Sequence, residues 1–307
     1  MRRRIPSTGA LVAFEAAARH ESFTKAAADL ALTQSAVCRQ IAGLEAYLGV
    51  ALFRRTRHGV KLTEAGEGFS RQVASRLDAI EQDTLGIMAS HGRGATLQLA
   101  VVPTFATQWL LPRLPHFMRA HPDITVNLTT RTRPFLFEET TFDAAIQFGE
   151  GSWPGTDARH LMREHAVPVC SPALLRRISR SGKPVTPQEV VRLPLLQQET
   201  RPYAWRNWCE SAGVDGGNPL AGPRFELFSM LAQAARHDMG VALIPAMLIE
   251  EDLAGGRLVV ACAHSHRSAH AYHIVFPERK AESAALRLFI DWLCLQAQSY
   301  RAAAGLE

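Results

Sequence analysis

The sequence predicts an α+β multidomain protein in three parts: an all-α-type winged helix-turn-helix head, a long linker helix, and a large body of α/β texture. Three observations lead there. Residues 1–62 carry ten basic side chains against four acidic ones, a balance of +6, whereas the rest of the chain holds 24 against 25. Apolar residues in that basic head recur at helical spacing in three short stretches, and a four-and-three seam follows them. From Leu97 onward, short β-rich runs alternate with helical ones. At 307 residues, 47% hydrophobic and 21% charged, the chain has the composition of a globular protein and the length for two or three domains. The longest uncharged apolar stretch, Gly240 to Ile249, falls far short of the roughly 20 residues a membrane helix needs. The apolar run after Met1-Arg2-Arg3-Arg4 stops at Glu15 without a cleavage segment, so the expected location is cytoplasmic. Five scattered cysteines without a CxxC pair argue against a disulfide framework and against a thiolate zinc site, and are read as reduced thiols.

In the head, Leu11, Phe14, Ala17 and Ala18 form a first helical stripe and Phe23, Ala26, Ala27 and Leu30 a second, with Ser22 as its N-cap. Ala31-Leu32 makes a tight connection and Thr33 caps a third helix, whose buried stripe is Val37, Ile41, Leu44 and Leu48. Two short helices joined so briefly read as helix-turn-helix. The outward face of the third helix then presents Gln34, Ser35, Cys38 and Arg39, the placement from which a recognition helix meets base edges. After the apolar pair Leu52-Phe53 comes Arg54-Arg55-Thr56-Arg57-His58-Gly59-Val60-Lys61. Cations flanking a glycine turn suit a hairpin wing along phosphates; directly behind a helix-turn-helix this outweighs a merely solvated basic loop.

The stretch Phe14-Glu-Ala-Ala-Ala-Arg-His-Glu-Ser-Phe-Thr-Lys-Ala-Ala resembles a known family, as do Thr33-Gln-Ser-Ala-Val, Leu52-Phe53-Arg-Arg and Leu62-Thr-Glu-Ala-Gly. These segments are similar to the winged helix-turn-helix of LysR-type transcriptional regulators. The resemblance implies base or groove contact from Gln34, Ser35, Cys38 and Arg39, and backbone contact from Arg54, Arg55, Arg57, His58 and Lys61, with double-stranded promoter DNA as the partner. Cys38 stands where the family usually has Ser or Thr, and His58 where it usually has Arg.

From Thr63, a good N-cap, a helix is predicted to about Ser90, with Val73, Leu77, Ile80, Thr84 and Ile87 spaced by four and three. Such a seam either meets a second copy or packs on the chain's own body. The resemblance favours a homo-oligomer, dimer or tetramer, with Val73, Leu77, Ile80 and Ile87 at the dimer seam. His91-Gly92-Arg93-Gly94 breaks the helix and marks a boundary.

In the body, strands are predicted at Leu97–Val102, Ile124–Thr130, Asp143–Phe148, Ala166–Cys170, Leu193–Leu196, Arg224–Leu227, Met239–Pro245 and His270–Phe276, with a helix at Trp109–Ala120. That alternation places ligands at strand carboxyl ends. Pro103-Thr-Phe-Ala, Trp109-Leu-Leu-Pro-Arg-Leu, Phe142-Asp-Ala-Ala-Ile and Met239-Gly-Val-Ala-Leu-Ile-Pro again resemble the LysR-type family. Within it they resemble the subgroup of the glycine-cleavage activator and the chromosomal beta-lactamase regulator. The resemblance implies a periplasmic-binding-protein-like effector domain with two α/β lobes around a cleft, switched by a small-molecule effector, possible contact with RNA polymerase, and neither cofactor nor membrane partner. The domain boundaries expected are 1–62 for the head, 63–92 for the linker, and 95–307 for the effector domain. Lobe I takes about 95–165 and 268–307, lobe II about 166–267. Thr104, Phe105 and Ala106 follow the first strand, where free N–H groups and a hydroxyl suit a polar or anionic effector; Thr104 is equally readable as a helix N-cap. Arg131 and Gln147 reach the same edge in the family's arrangement, and Thr200 and Phe228 face them from the second lobe. Glu226-Leu227-Phe228-Ser229 is more apolar than in relatives, so the beta-lactamase regulator's cell-wall ligand is not transferred and an effector with an apolar or aromatic portion is expected. Asp238 stands where relatives often carry Gly, a position at which Asp tolerates left-handed backbone.

Rival readings rest on less. Cys262, His264, His266, His270 and His273 crowd twelve positions and invite a metal site, but exposed His-rich segments are frequent without metal. A redox sensor would need Cys170 and Cys209 together, and neither has an adjacent cation. An enzyme fused to the head finds no support, since GxSxG and HExxH are absent and Gly149-Glu-Gly151 lacks the third glycine of a dinucleotide fingerprint.

Overall fold

The computed structural model describes residues 5–57, 59–90, 94–151, 153–179 and 184–305, with the backbone alone at 82, 83, 87, 89 and 90. The chain divides into two compact units, residues 1–93 and 94–307.

The first unit begins with α1 (Thr8–His20), α2 (Phe23–Asp29) and α3 (Gln34–Leu48). Each starts at a hydroxyl that accepts a backbone N–H: Ser7 from Ala10, Ser22 from Lys25, Thr33 from Ala36. Such caps satisfy donors that the first helical turn leaves unpaired. Ala31 takes a left-handed φ of 52° in the α2–α3 connection. The helices close around Ala13, Ala16, Ala17, Ala26, Ala27, Val37 and Ile41. Small side chains at these contacts let the backbones approach closely. A hairpin of β1 (Phe53–Thr56) and β2 (Gly59–Leu62) follows. Phe53 anchors it by packing edge-on against Phe14 and Phe23.

Helix α4 (Glu64–Ser90) starts where Thr63 Oγ1 accepts the Gly66 N–H. Its seam divides. Val73 and Leu77 pack into the head's own cluster with Ala10, Phe14, Leu44 and Leu52, whereas the seam reading gave both to a partner. Further along, Ile80, Leu85 and Met88 are exposed, while the Ile87 side chain lies outside the described residues. About the first four turns of α4, through Leu77, are therefore a wall of the head, and its apolar residues are exposed only beyond them.

The second unit opens with β3 (Ala95–Val101), α5 (Pro103–Phe105), a π-type turn (Ala106–Leu110), α6 (Leu114–Ala120), β4 (Ile124–Thr130) and β5 (Ala144–Gly149). The single helix expected over 109–120 is thus broken. Pro112 has no N–H for the ladder, so turns at 111–113 separate a helical start at Pro103 from α6. A long β6 (Thr156–Cys170) leads to α7 (Pro172–Ile178), α8 (Pro187–Val190), β7 (Leu195–Gln198), α9 (Ala204–Ala212), β8 (Arg224–Phe225) and α10 (Phe228–Arg236). The chain continues through β9 (Val241–Pro245), α11 (Glu250–Ala254), β10 (Val259–Val260), β11 (His266–Pro277) and α12 (Ala284–Ala304). The sequence pattern caught only the last third of β6, because His160, Arg163 and His165 interrupt its apolar alternation.

Among the described residues, nine strands form one sheet in the order β4-β3-β5-β11-β6-β9-β7-β8, with β10 beside β6. At one end β4, β3 and β5 run parallel, at the other β9, β7 and β8, and the antiparallel pair β6–β11 crosses between the two. Each end is a lobe, so the carboxyl ends of two parallel strand sets face one another. The core includes Trp109, Phe117 and Phe289 in the first lobe, and Trp205 and Trp208 in the second. The turn before β9 holds Asp238 at φ 61°, the left-handed value anticipated for it; its carboxylate accepts from the Ser171 hydroxyl and lies 3.7 Å from Arg177.

Candidate functional site

Gln34 and Ser35 occupy the first turn of α3 and are exposed, as is Arg39, while Cys38 is half-buried. Val37, Ile41 and Leu44 point the other way, into the core. The Ser35 hydroxyl lies 3.1 Å from Thr33 Oγ1, so the cap holds it locally. The wing is fixed from behind. Glu45 Oε1 accepts the N–H groups of Leu52 (2.7 Å) and Phe53 (3.0 Å), tying the start of the hairpin to α3. Val60 N–H donates to Glu21 O, and a Cβ at Gly59 would stand 2.9 Å from that same oxygen, so only glycine allows this approach at φ 136°.

On the hairpin, Arg54 stands directly opposite Lys61, and Arg55 opposite Val60. Arg54, Arg55, Arg57 and Lys61 are all exposed; His58 lies outside the described residues. Like charges facing one another across a strand pair destabilise it. Among the described residues, the head's ion pairs are confined to Arg19 with Glu15 and Asp29, and His20 beside Asp29. Arg54, Arg55, Arg57 and Lys61 make no ion pair among the described residues.

In the second unit a cleft of about 710 Å³, counting space open to solvent, lies between the strand ends of the two lobes. Thr104, Phe105, Arg131, Gln147, Thr200 and Phe228 all line it. Ala106 does not: it begins the π-type turn and its side chain is buried in the lobe core. Thr104 is no N-cap either. Pro103 begins α5 with Val102 in the cap position, and Thr104 Oγ1 instead accepts the Ser229 N–H at 3.2 Å, across from the second lobe. A second link between lobes runs from the Thr132 hydroxyl to Glu226 Oε1 at 2.8 Å.

Arg201 and Tyr272 line this cleft and Glu164 lies behind Arg201, and sequence pattern pointed to none of the three. Glu164 on β6 is 4% exposed and accepts two bonds from Arg201, Nη2 to Oε1 at 2.9 Å and Nε to Oε2 at 3.2 Å. Tyr272 on β11 donates its hydroxyl to the same Oε1 at 2.6 Å. Arg201 also stacks on Phe148, its guanidinium carbon 3.5 Å from the ring centroid. Burial lowers the Arg201 pKa, but the adjacent carboxylate outweighs it and the net direction is upward. Burial, reinforced by Glu164, pushes the Tyr272 phenol well above its ordinary value. A fork-shaped pair of this kind holds the β6–β11 crossing to lobe II, and the Phe148 stack extends it to lobe I. Its partners stand 37 and 108 positions from Glu164, too far apart for spacing to connect them. The one signal was an acidic residue inside β-rich sequence, which needs a partner once buried. Beyond Arg201 and Phe148 a second chamber, about 1210 Å³, is lined by Tyr203, Asn207, His266 and His270.

The histidine-rich segment is dispersed. His264 Nε2 meets Ser211 Oγ at 2.9 Å, His273 packs on His160 with centroids 5.5 Å apart, and Cys262 is buried. Among the described residues no three His, Cys, Asp or Glu side chains stand together as a metal site. Cys170 and Cys209 are both buried and free, and burial pushes the Cys170 thiol up to about 11. No described helix is long and apolar enough to cross a membrane.

A winged helix-turn-helix with free cations, joined in one chain to a two-lobed α/β body around a cleft, defines a DNA-binding transcription regulator with an effector domain. The chain belongs to the LysR family: residues 8–67 match the bacterial regulatory helix-turn-helix proteins of the lysR family, and residues 90–296 match the LysR substrate binding domain. It is 35% identical over 298 residues to the glycine cleavage system transcriptional activator of Escherichia coli K12, covering 97% of this chain and 96% of that protein. The effector domain of the transcriptional regulator AmpR of Pseudomonas aeruginosa superposes with a TM-score of 0.62 at 28% identity, covering 68% of this chain and 98% of that one. Full-length CbnR in complex with its target DNA shares the fold, with a TM-score of 0.72 at 20% identity over 94% of this chain and 99% of that one.

Proposed function

We propose that the protein works in the cytoplasm as a homo-oligomer, which binds promoter DNA through α3 and the wing and changes its grip when a small molecule fills the cleft between its lobes. The observation that carries the DNA reading is the Arg54–Lys61 pair, two cations held opposite one another and relieved by phosphate. Gln34, Ser35, Cys38 and Arg39 read the groove, while Arg54, Arg55, Arg57 and Lys61, with His58 beside them in sequence, hold the backbone. Pairing of two copies through the outer part of α4, where Ile80, Leu85 and Met88 are exposed, supplies the symmetry that paired half-sites require.

Thr104, Arg131, Gln147, Thr200 and Phe228 bind the effector, and the Thr132–Glu226 and Thr104–Ser229 links make lobe closure sensitive to it. A ligand that binds the closed arrangement better shifts the population toward it. The chain is a regulator and not an enzyme, and contact with RNA polymerase is part of the same reading.

Fluorescence anisotropy on the DNA upstream of its own gene, with excess nonspecific competitor and a salt series, tests this. Competitor-resistant binding whose log–log salt slope is about −0.9 per neutralised phosphate is the expected result. Binding abolished by competitor at every salt concentration, with or without a mixed metabolite pool, would overturn it.

A further inference from the structure

The cleft contains one buried polar atom whose partner is missing among the described residues. Gln198, the last residue of β7, lines the cleft and is 4% exposed. Its Nε2 donates to the Glu226 carbonyl oxygen at 2.9 Å and to Thr200 Oγ1 at 3.1 Å, and its Oε1 is buried without a hydrogen bond. The amide orientation is determined by this geometry, since turning it over would set Oε1 against the Glu226 carbonyl, acceptor to acceptor. Strand alternation separates it from Gln197, whose Nε2 is spent on the carbonyls of Ala221 and Pro219. One glutamine clamps a loop and the next offers an acceptor at the carboxyl end of a parallel strand, where α/β lobes bind ligands.

The groups around it have the opposite character. Thr104 Oγ1 accepts from Ser229 N–H, and Thr200 Oγ1 accepts from Gln198 Nε2 and Arg201 Nη1, so both hydroxyl protons are left to donate. Arg131 adds a cation at the mouth, over the Phe142 ring and in no ion pair among the described residues. Phe105, Phe148 and Phe228 form an apolar wall. A ligand complementary to this set places an anionic acceptor group toward the two threonines and Arg131, and a donor toward Gln198.

Building on the proposal that the effector sits in this cleft, we infer that Gln198 is a specificity-determining acceptor, and that the effector is a small carboxylate carrying an N–H or O–H donor, of the amino acid or hydroxy acid class. A carboxylate with that donor gives Gln198 Oε1 the hydrogen bond that no described residue supplies, and one without it gains nothing there, so the first binds more tightly.

Three probes on one carbon skeleton test the inference: phenylalanine, phenyllactate and 3-phenylpropionate, which carry an ammonium, a hydroxyl and a hydrogen at the same carbon. Isothermal titration of the full chain should show the first two binding on the order of tenfold to a hundredfold more tightly than the third. Gln198→Leu should collapse that ratio while leaving 3-phenylpropionate near its original affinity. Should the leucine variant fail to melt cooperatively, Gln198→Met, closer in length, takes its place, and the wild-type ratio stands as a readout by itself. Equal affinity for all three probes, tighter binding of 3-phenylpropionate, or binding of none would each overturn the assignment. Thr104→Val separates this from the broader reading. If it weakens every probe while Gln198→Leu leaves their ratio unchanged, the effector cleft stands and only the role of Gln198 falls. If neither substitution changes any affinity, the probes bind elsewhere and the cleft reading falls with it.

Discussion

In the head, Arg39, Arg54, Arg55, Arg57 and Lys61 stand in water, and two of them face each other across a hairpin. In the body, Arg201 is withdrawn from water, forked onto Glu164 and stacked on Phe148. The same residue type therefore does opposite work. A free surface cation contributes little to folding and is available to a polyanion, whereas a buried cation in a satisfied network holds strands and lobes in register. The difference separates two roles of one residue type: unpaired surface charge is available to a polyanion, and paired charge holds strands and lobes of the body together.

The largest expected effect lies in the body. Glu164→Ala strands a largely buried guanidinium and a fully buried phenol, and should cost about 3–5 kcal/mol. Calorimetry should show the body's melting transition falling by on the order of 10 °C. A shift under 2 °C would mean that the network is not the bond between the crossing strands that its geometry indicates.

Next, Arg39→Ala and Arg55→Ala should leave both melting transitions and the oligomer unchanged while weakening DNA binding. Loss of Arg39 should cost about 1–3 kcal/mol and relax sequence preference, and loss of Arg55 should lower the salt slope by about 0.9. An Arg55 variant with an unaltered slope would remove that residue from the phosphate contacts.

Acid should separate the units by window. In the body, burial lowers the pKa of His160, His165, His266 and His273 below the ordinary 6.5. These groups bind protons more readily when unfolded, so the stability they contribute is full above 6.5 and is lost as pH falls from there toward their folded values. In the head, hydrogen bonds from His20 and Arg19 lower the Asp29 pKa below its ordinary 3.8, and the corresponding loss begins only below that value. Melting curves between pH 7.5 and 5 should show the body's transition falling while Asp29 contributes no change to the head's. A body transition flat across that range would contradict the partial desolvation of those imidazoles.

The smallest effect is expected at Asp238→Gly. Relief of a left-handed backbone at φ 61° opposes loss of the Ser171 bond, so the change should stay within about 1 kcal/mol, or 2–4 °C in the body's transition. A larger loss would make Ser171–Asp238 a principal clamp of the second lobe.

Much of the head was legible because its signals are local. Ser22 and Thr33 cap the helices they precede, and Val37, Ile41 and Leu44 are buried at the spacing read for them. Strands β4 and β5 were legible for the same reason, through alternation and apolar runs. The periodicity of the seam on α4 was legible, but helical spacing says which residues share a face and not what covers it; Val73 and Leu77, which the resemblance gave to a dimer partner, pack in the head's own core. In the cleft, Thr104 and Phe105, named from the end of the first strand, do line it, because strand-end position is a property of the chain's order; Arg131, Gln147, Thr200 and Phe228, which the family resemblance implied, line it too, while Ala106 begins a π-type turn and is buried in the lobe core.

The sequence by itself determined the basic head and the α/β texture of the body, the capped helices of the head and the strand ends of the body, since each follows from composition or from contacts within a few residues; the helix expected as a separate linker over 63–92 falls within the first compact unit. Tertiary structure alone decided which charges would be buried. Glu164, Arg201 and Tyr272 meet across separations of 37 and 108 residues, and Gln198 is left with an open acceptor only because its neighbours from other elements take its amide protons and offer its oxygen none. Pairing of buried polar groups is settled by which elements the fold brings together, and no local pattern records it.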